Sequence, residues 1–335
     1  MSDDKWKIEP GWLPVDAVVV DGRPGLLWMQ LPNVSFAEPF FQQTIDRIRA
    51  DQPQTPEKFA EFDALLQLDQ TLPHVEPAGL IFHSSRCGST LLANACRALT
   101  ESIVLSEPTP IDKLIARFIT DAGDAVREAL YSVLLRATVN ALVQRDDRRV
   151  FIKFSCCSVS QLERLRRIWP RAPWVFLYRD PVETIFSNAT NPPPWLLDDD
   201  HRVLAHITGT LTAEIAEMSL EERCARSIGS FFSTAHTLAN NNSLLLNYNQ
   251  LSLPAISGIL KFFNARPSDQ DLERIASGTR IYSKQASATR EFVPDTDAKQ
   301  QLASPFVREL AERWAMQPYR LLEEHRNRVN VYELN

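Results

Sequence analysis

No run of this sequence approaches the roughly 20 apolar residues that a membrane-spanning helix needs. The chain also lacks any basic excess. Its 36 Lys and Arg stand against 42 Asp and Glu, for a formal charge of −6 and a pI near 5.6. That balance argues against a broad surface for nucleic acid or anionic membrane, while leaving room for a local basic pocket. The five cysteines, Cys87, Cys96, Cys156, Cys157 and Cys224, include no metal-type C-x-x-C pair. The adjacent Cys156 and Cys157 invite a redox role, but reduced thiols packed as small hydrophobes are the simpler reading. The stretch MSDDKWKIEP is charged and has no apolar signal-peptide core, so a cytoplasmic location is expected. No internal repeat or low-complexity segment is present. At 335 residues, 44% hydrophobic and 23% charged, the composition is that of a globular protein of one large or two smaller domains.

What is present changes character along the chain. PVDAVVVDGRPGLLWMQL reads as two short strands around a turn at Asp21-Gly22. SFAEPFFQQTIDRIRA follows as an amphipathic helix with Ser35 as N-cap, and DQPQTPEKF as a polar, proline-bearing break. Residues 1–75 therefore form a small N-terminal appendage, a possible cover over one face of a main domain of residues 76–335. From Gly79 onward, short apolar runs (LIFH, SIVLS, RVFIKFS, WVFLY, SLLLN) alternate with helical stretches. Apolar runs bounded by helices predict an α/β fold of three layers, with a central parallel sheet flanked by helices. Right-handed crossovers place the loops after all the strands on one edge, where ligands bind. NPPPWLLDDD, from Asn191 to Asp200, is expected to be a surface loop.

GLIFHSSRCGSTLLANACRAL, from Gly79 to Leu99, has the strand, turn and helix layout of a phosphate-binding P-loop. Aligned on Gly88 and Thr90, the Walker pattern finds His83 where its first glycine belongs and Ser89 where its lysine belongs. There is no convincing Walker-B aspartate either. The backbone from Ser85 through Arg86, Cys87 and Gly88 can still cradle an anion at the start of the helix, aided by the Ser89 and Thr90 hydroxyls and the Arg86 fork. The alternative is an ordinary strand-to-helix turn. A second segment, WVFLYRDPVETIFSN, ends an apolar strand at Tyr178 and delivers Arg179 to the same edge, with Pro181 in the next helix's first turn and Ser187 further along it. Arg179 and Ser187 can hold a second anionic group, or Arg179 can simply pair with Asp180 or Glu183.

Together SSRCGSTLL and YRDPVETIFS resemble the sulfotransferase family that uses 3′-phosphoadenosine 5′-phosphosulfate (PAPS). Its first loop, often P-[KR]-x-G-[TS]-T, receives the 5′-phosphosulfate. Its R-[ND]-P segment with a downstream serine receives the 3′-phosphate. The resemblance runs from about Gly79 and excludes the N-terminal segment. It implies PAPS as co-substrate, 3′-phosphoadenosine 5′-phosphate (PAP) as product, and no metal, since a sulfuryl donor has no γ-phosphate to bridge. SLLLNYNQL resembles the family's YED segment and suggests Tyr248 near the adenine, with Asn249 and Gln250 replacing the acidic residues. GTRIYSKQASATREF resembles the late basic loop, with Ser283, Lys284 and Arg280 as candidates, although the glycine-rich form is missing.

Sulfuryl transfer requires a base for the acceptor, an in-line donor and stabilisation of charge on the leaving oxygen. Glu107 in IVLSEPTPID resembles the catalytic glutamate of glutamate-using members, or is a carboxylate at a helix start. His83 is the alternative base. Lys153, in the apolar strand RVFIKFS, needs a partner or the ligand edge, and is expected to share leaving-group stabilisation with Arg86. Trp195, Leu196 and Leu197 are expected to wall an acceptor site in the region from Asn191 to His206. Asp198, Asp199 and Asp200 argue against a highly anionic acceptor, or form a solvated loop face. The expected function is sulfuryl transfer to a hydroxyl or amine of a small-molecule, lipid or peptide acceptor. No nucleic-acid partner is expected, and homo-oligomerisation is open. The alternatives are an ATP-dependent kinase and a non-catalytic nucleotide-binding or scaffolding protein on the same frame.

Overall fold

The computed structural model describes residues 8–120, 125–144, 148–279 and 296–329. The chain opens with strands β1 (Trp12–Val20) and β2 (Arg23–Gln30). They are joined at Asp21 and Gly22, which have φ of 50° and 75°. Two left-handed residues at a two-residue turn match the twist of a hairpin, as the Asp-Gly pair predicts. Helix α1 (Phe41–Asp51) starts five residues later than a Ser35 cap would place it. Pro39 disfavours helical backbone at the residue before it. The segment read as a polar break contributes a further strand, β3 (Glu57–Glu61), paired antiparallel to β2. Only Ala60 in it is buried, so an edge strand of this kind has no apolar pattern to announce it. Helix α2 (Phe62–Asp69) follows.

The main sheet is built from β4 (Gly79–His83), β5 (Ser102–Ser106), β6 (Arg149–Lys153), β7 (Trp174–Tyr178) and β8 (Ser243–Asn247). Their order is β5-β6-β4-β7-β8 and all four pairings are parallel. The predicted central parallel sheet flanked by helices is therefore present. Between the strands lie α3 (Ser89–Arg97), α4 (Thr109–Thr120), α5 (Ala125–Val143), α6 (Leu162–Ile168) and α7 (Pro181–Thr190). The stretch VSQLERLRRIW enters α6 through a 3-10 turn, Cys156–Gln161. Before β8 come α8 (Pro194–Leu197), α9 (Arg202–Thr208), α10 (Thr212–Glu217) and α11 (Leu220–Leu238). After it come α12 (Leu253–Phe262), α13 (Asp269–Thr279), α14 (Thr296–Leu302), α15 (Pro305–Trp314) and α16 (Met316–Val329).

Alternation along the strands divides the core in two. Ile81, Val104, Phe151, Val175, Leu177 and Leu244 pack with Leu92 of α3 and Ile256 of α12. Leu80, Phe82, Ile152, Trp174, Phe176 and Tyr178 face the other way, toward α4, α5, α11 and the N-terminal strands. The N-terminal sheet shares this second core and is tied down by polar contacts. The Gly11 N–H donates to Gln144 Oε1 at 3.0 Å, and Lys113 Nζ lies 2.6 Å from Asp16 Oδ1. Among the described residues no helix is long and apolar enough to cross a membrane.

Candidate functional site

The strand ends gather the sequence-predicted residues on one edge. β4 stops at His83, and the chain turns through Ser84–Gly88 into α3. Ser85, Arg86 and Gly88 have φ of 74°, 52° and 80°. Left-handed backbone is uncommon for residues other than glycine. Clustered here, it bends the chain sharply into the start of α3. The Ser84 N–H donates to the Leu177 carbonyl at 3.0 Å and the Ser85 N–H to His83, which leaves the helix-start N–H groups from Arg86 onward as the candidate anion donors. Gly88 is required as well as permitted. A Cβ there would come within 2.4 Å of Leu251 Cδ2 and 3.3 Å of Tyr248 Cδ2. Ser89 and Thr90 are buried in the first turn of α3. Cys87 is fully buried, its Sγ donating to the Leu177 carbonyl at 3.1 Å. Burial pushes its thiol up to about 11, so it is an inert part of the turn.

Arg86 braces this turn against α7. Its Nε donates to Asn188 Oδ1 at 3.1 Å and its Nη2 to the Asn191 carbonyl at 2.5 Å. Ser85 Oγ donates to the same Asn188 Oδ1 at 3.0 Å. Asn188 is fully buried and immediately follows the half-buried Ser187. Sequence reasoning did not find Asn188.

Beside Gly88 lies Tyr248, with Arg179 stacked on it. Arg179 follows β7 by one residue and its side chain is 4% exposed. Its Nε donates to Glu183 Oε2 at 2.5 Å, and its Cζ sits 4.1 Å from the centre of the Tyr248 ring. Its Nη1 faces the Arg86 carbonyl at 3.5 Å. Of the two acidic neighbours offered by the sequence, Arg179 therefore pairs with Glu183. Asp180 instead caps α7, accepting from the Glu183 N–H at 3.2 Å. Gln300 Nε2 donates to Asp180 Oδ1 at 2.9 Å and to Glu183 Oε1 at 3.2 Å. The preceding Tyr178 points to the opposite face, where its hydroxyl donates to Glu323 of α16.

On the other side of β4, the Lys153 side chain is 1% exposed and its Nζ bonds the Glu107 carboxylate. Lys153 thus reaches a partner rather than running past the sheet edge. His83 Nδ1 accepts from the Ser85 N–H at 3.1 Å, which leaves the ring proton on Nε2. That nitrogen faces Glu107 Oε1 at 3.4 Å. Glu107 itself has φ of 48° and is held by its N–H, which donates to the Lys153 carbonyl at 2.7 Å. Burial raises its pKa, but Lys153 and His83 more than offset that and hold the carboxyl down at about 2. Asp112, in the first turn of α4, has a buried Oδ1 without a hydrogen-bond partner. Burial and then the Glu107 charge push its carboxyl up to about 7.

Arg86 donates to Asn188 and to the Asn191 carbonyl at the end of α7, and Lys153 bonds Glu107. Other expectations change. NPPPWLLDDD is more than a surface loop, because Leu196 in α8 is fully buried and belongs to the core. Trp195 packs against Phe231 with ring centres 6.3 Å apart, and Leu197 is 53% exposed. Leu196 and Trp195 both pack into the main core, and of the three only Leu197 stands in solvent. Asp198, Asp199 and Asp200 are exposed, with Asp200 paired to Arg202. Arg280, Ser283 and Lys284 lie outside the described residues.

No family model matches the chain, and no curated protein does. Solved structures do. The sulfotransferase STF9 from Mycobacterium avium is 10% identical, with a TM-score of 0.44, over 77% of this chain and 79% of that one. Mouse sulfotransferase SULT7A1, solved in complex with PAP, is 14% identical at a TM-score of 0.44, over 77% of this chain and 93% of that one. A sulfotransferase from Alicyclobacillus acidocaldarius is 13% identical at 0.43, over 76% and 96%. At these values, activity and substrate have to be argued from this chain's own residues.

Proposed function

We propose that the chain transfers a sulfuryl group from PAPS to a hydroxyl or amine of an acceptor, in a main domain of residues 76–335 with residues 1–75 as an appendage. One observation carries this reading. A single sheet edge holds a left-handed turn at the start of α3, with the Arg179–Tyr248 stack on one side and the Glu107–Lys153 pair on the other. The turn from Ser85 to Thr90 would receive the 5′-phosphosulfate through backbone N–H groups. Arg179 and Ser187 would take the 3′-phosphate, with Tyr248 beside the base and Ser283 and Lys284 closing over it.

In the reaction, the acceptor oxygen or nitrogen attacks sulfur. Its bond to sulfur forms as the bond from sulfur to the bridging phosphate oxygen breaks, and PAP leaves with the electron pair. Glu107 takes the acceptor's proton. Lys153 moves its charge toward the leaving oxygen, which weakens its hold on Glu107 and raises that carboxylate's basicity when it is needed. Arg86, braced to α7, holds the turn and adds positive charge beside the donor. Backbone N–H groups and these cations do the work that a Walker lysine and magnesium do for a nucleoside triphosphate. The five free cysteines, four of them buried, accord with a cytoplasmic setting.

The test is calorimetric titration with PAP in EDTA, with ATP and AMP run beside it. Metal-free PAP binding is expected, weakened at least tenfold when Arg179→Ala is combined with Glu183→Gln, so that no buried carboxylate is left unpaired. Absence of PAP binding, or magnesium-dependent preference for ATP, overturns the reading and puts the kinase or the non-catalytic scaffold first.

A further inference from the structure

The N-terminal appendage reaches the candidate site. Thr109 Oγ1, at the start of α4, donates to Gln42 Oε1 at 2.7 Å. Arg97 Nε, at the end of α3, donates to the Phe36 carbonyl at 2.8 Å. These two bonds fix the segment from Phe36 to Gln42 across the helices that follow β4 and β5. Three phenylalanines lie in it, and they are used differently. Phe41 is 2% exposed and stacks on Phe36, ring centres 5.1 Å apart. Both pack into the main core. Phe40 stands outside either core cluster. It is half-buried, with its ring centre 5.1 Å from Lys153 Nζ.

An aromatic ring with no place in a core, laid over a buried ammonium, requires an explanation. It lies against Lys153, whose side chain is only 1% exposed, whereas Glu107, bonded to the same ammonium, is 27% exposed. The Phe40 ring and the Glu107 carboxylate flank the same ammonium, so the accessible part of the ring lies beside the carboxylate. A hydroxyl bound at Glu107 brings whatever carries it against that ring. A flat apolar carrier gains stacking and loses little hydration there. A polyol gives up water from hydroxyls that the ring cannot satisfy.

We propose that Phe40 is the acceptor-selecting residue of the site, favouring an acceptor whose reactive hydroxyl or amine is borne on an aromatic or otherwise flat apolar group over a polyol. The inference rests on the sulfuryl-transfer reading, and it moves the acceptor wall from the α8 segment to the N-terminal appendage.

The test uses the full chain saturated with PAP. Binding of 2-naphthol is followed by its fluorescence, and trehalose serves as the polyol. Wild type is expected to bind 2-naphthol at least tenfold more tightly than trehalose. Phe40→Ala should weaken 2-naphthol about tenfold, equivalent to about 1.4 kcal/mol, and leave PAP affinity unchanged. Phe40→Leu should restore part of that loss. Phe36→Ala removes a ring that stacks on Phe41 instead of Lys153, and should leave 2-naphthol binding within twofold. Equal affinity for naphthol and trehalose, or an unchanged Phe40→Ala, with PAP binding intact, overturns the acceptor proposal and leaves the sulfuryl-transfer reading standing. Failure of wild type to bind PAP overturns both.

Discussion

Replacing Lys153 by methionine tests how far the candidate site depends on one buried ion pair. The Lys153 side chain is 1% exposed and Glu107 27%, so neither charge is well solvated. The carboxyl falls from the ordinary 4.5 to about 2, with Lys153 and His83 outweighing burial. That depression corresponds to about 3 kcal/mol of native stability at neutral pH. Because the folded value lies below the unfolded one, this stability is complete above about pH 4.5 and is lost as pH falls toward 2. Lys153→Met removes the stabilising charge and leaves a buried carboxylate. Glu107→Gln leaves a buried ammonium. Each should cost about 3 kcal/mol or more at pH 7, since breaking a buried pair strands its partner. The double variant should recover to within about 1 kcal/mol of wild type, because removing both charges also removes the desolvation penalty. Urea unfolding at pH 7 measures all four proteins, and repeating wild type and Lys153→Met between pH 5 and 3 should show the gap between them closing. Single losses below about 1 kcal/mol that simply add in the double variant would refute the argument.

Two further predictions follow from the same edge. Gly88→Ala places a side chain at φ +80° with its Cβ 2.4 Å from Leu251 Cδ2, so a loss of about 2 kcal/mol is expected from left-handed backbone and overpacking; an unchanged melting temperature would show the turn to be more pliable than this geometry allows. Asp112→Asn should behave oppositely. Burial and the Glu107 charge raise Asp112 from 3.8 to about 7, so ionising it costs the folded protein stability as pH climbs through that window, and the amide avoids this cost. The variant should gain on wild type by about 2–4 kcal/mol between pH 4 and pH 8 in chemical unfolding, and a pH-independent difference would mean that the carboxyl finds a partner on ionising.

The main sheet was legible because a parallel strand covered on both faces must be apolar along its whole length. LIFH, SIVLS and WVFLY admit little else, and the glycine-bearing turn after the first of them marks the sheet edge where the candidate residues gather. The Asp21-Gly22 hairpin was equally plain, since few residue pairs tolerate two left-handed positions. β3 was not legible, because an edge strand with one buried residue carries no pattern. Phe40 over Lys153 and Asn188 under Arg86 were also hidden. Arg86 and Asn188 are 102 residues apart, and their meeting depends on how α7 docks against the loop. Asn188 had one weak signal: it directly follows Ser187, which the R-D-P segment had already pointed to. Local chemistry can nominate a residue in this way, but its partner is chosen by packing.

Packing also accounts for the internal pairing of both buried cations at this edge. A bare guanidinium or ammonium so far from water would cost several kcal/mol, and Glu183 and Glu107 remove that cost within the chain itself. On the proposed reading the two pairs then respond differently to an anionic donor. Arg179 offers a planar fork of five donors, of which Nε holds Glu183, and that shape matches the oxygens of a bound anion. Lys153 is a point charge held by one carboxylate, and any charge developing on a leaving oxygen competes with Glu107 for it. The Arg179 end is therefore suited to binding that persists through the reaction. At the Lys153 end the gain grows as the bond to the leaving oxygen breaks, and Glu107 is released to accept a proton in the same event. On that reading, a lysine paired to the base would join the two halves of the transfer and give a buried strand end a reason to keep its charge.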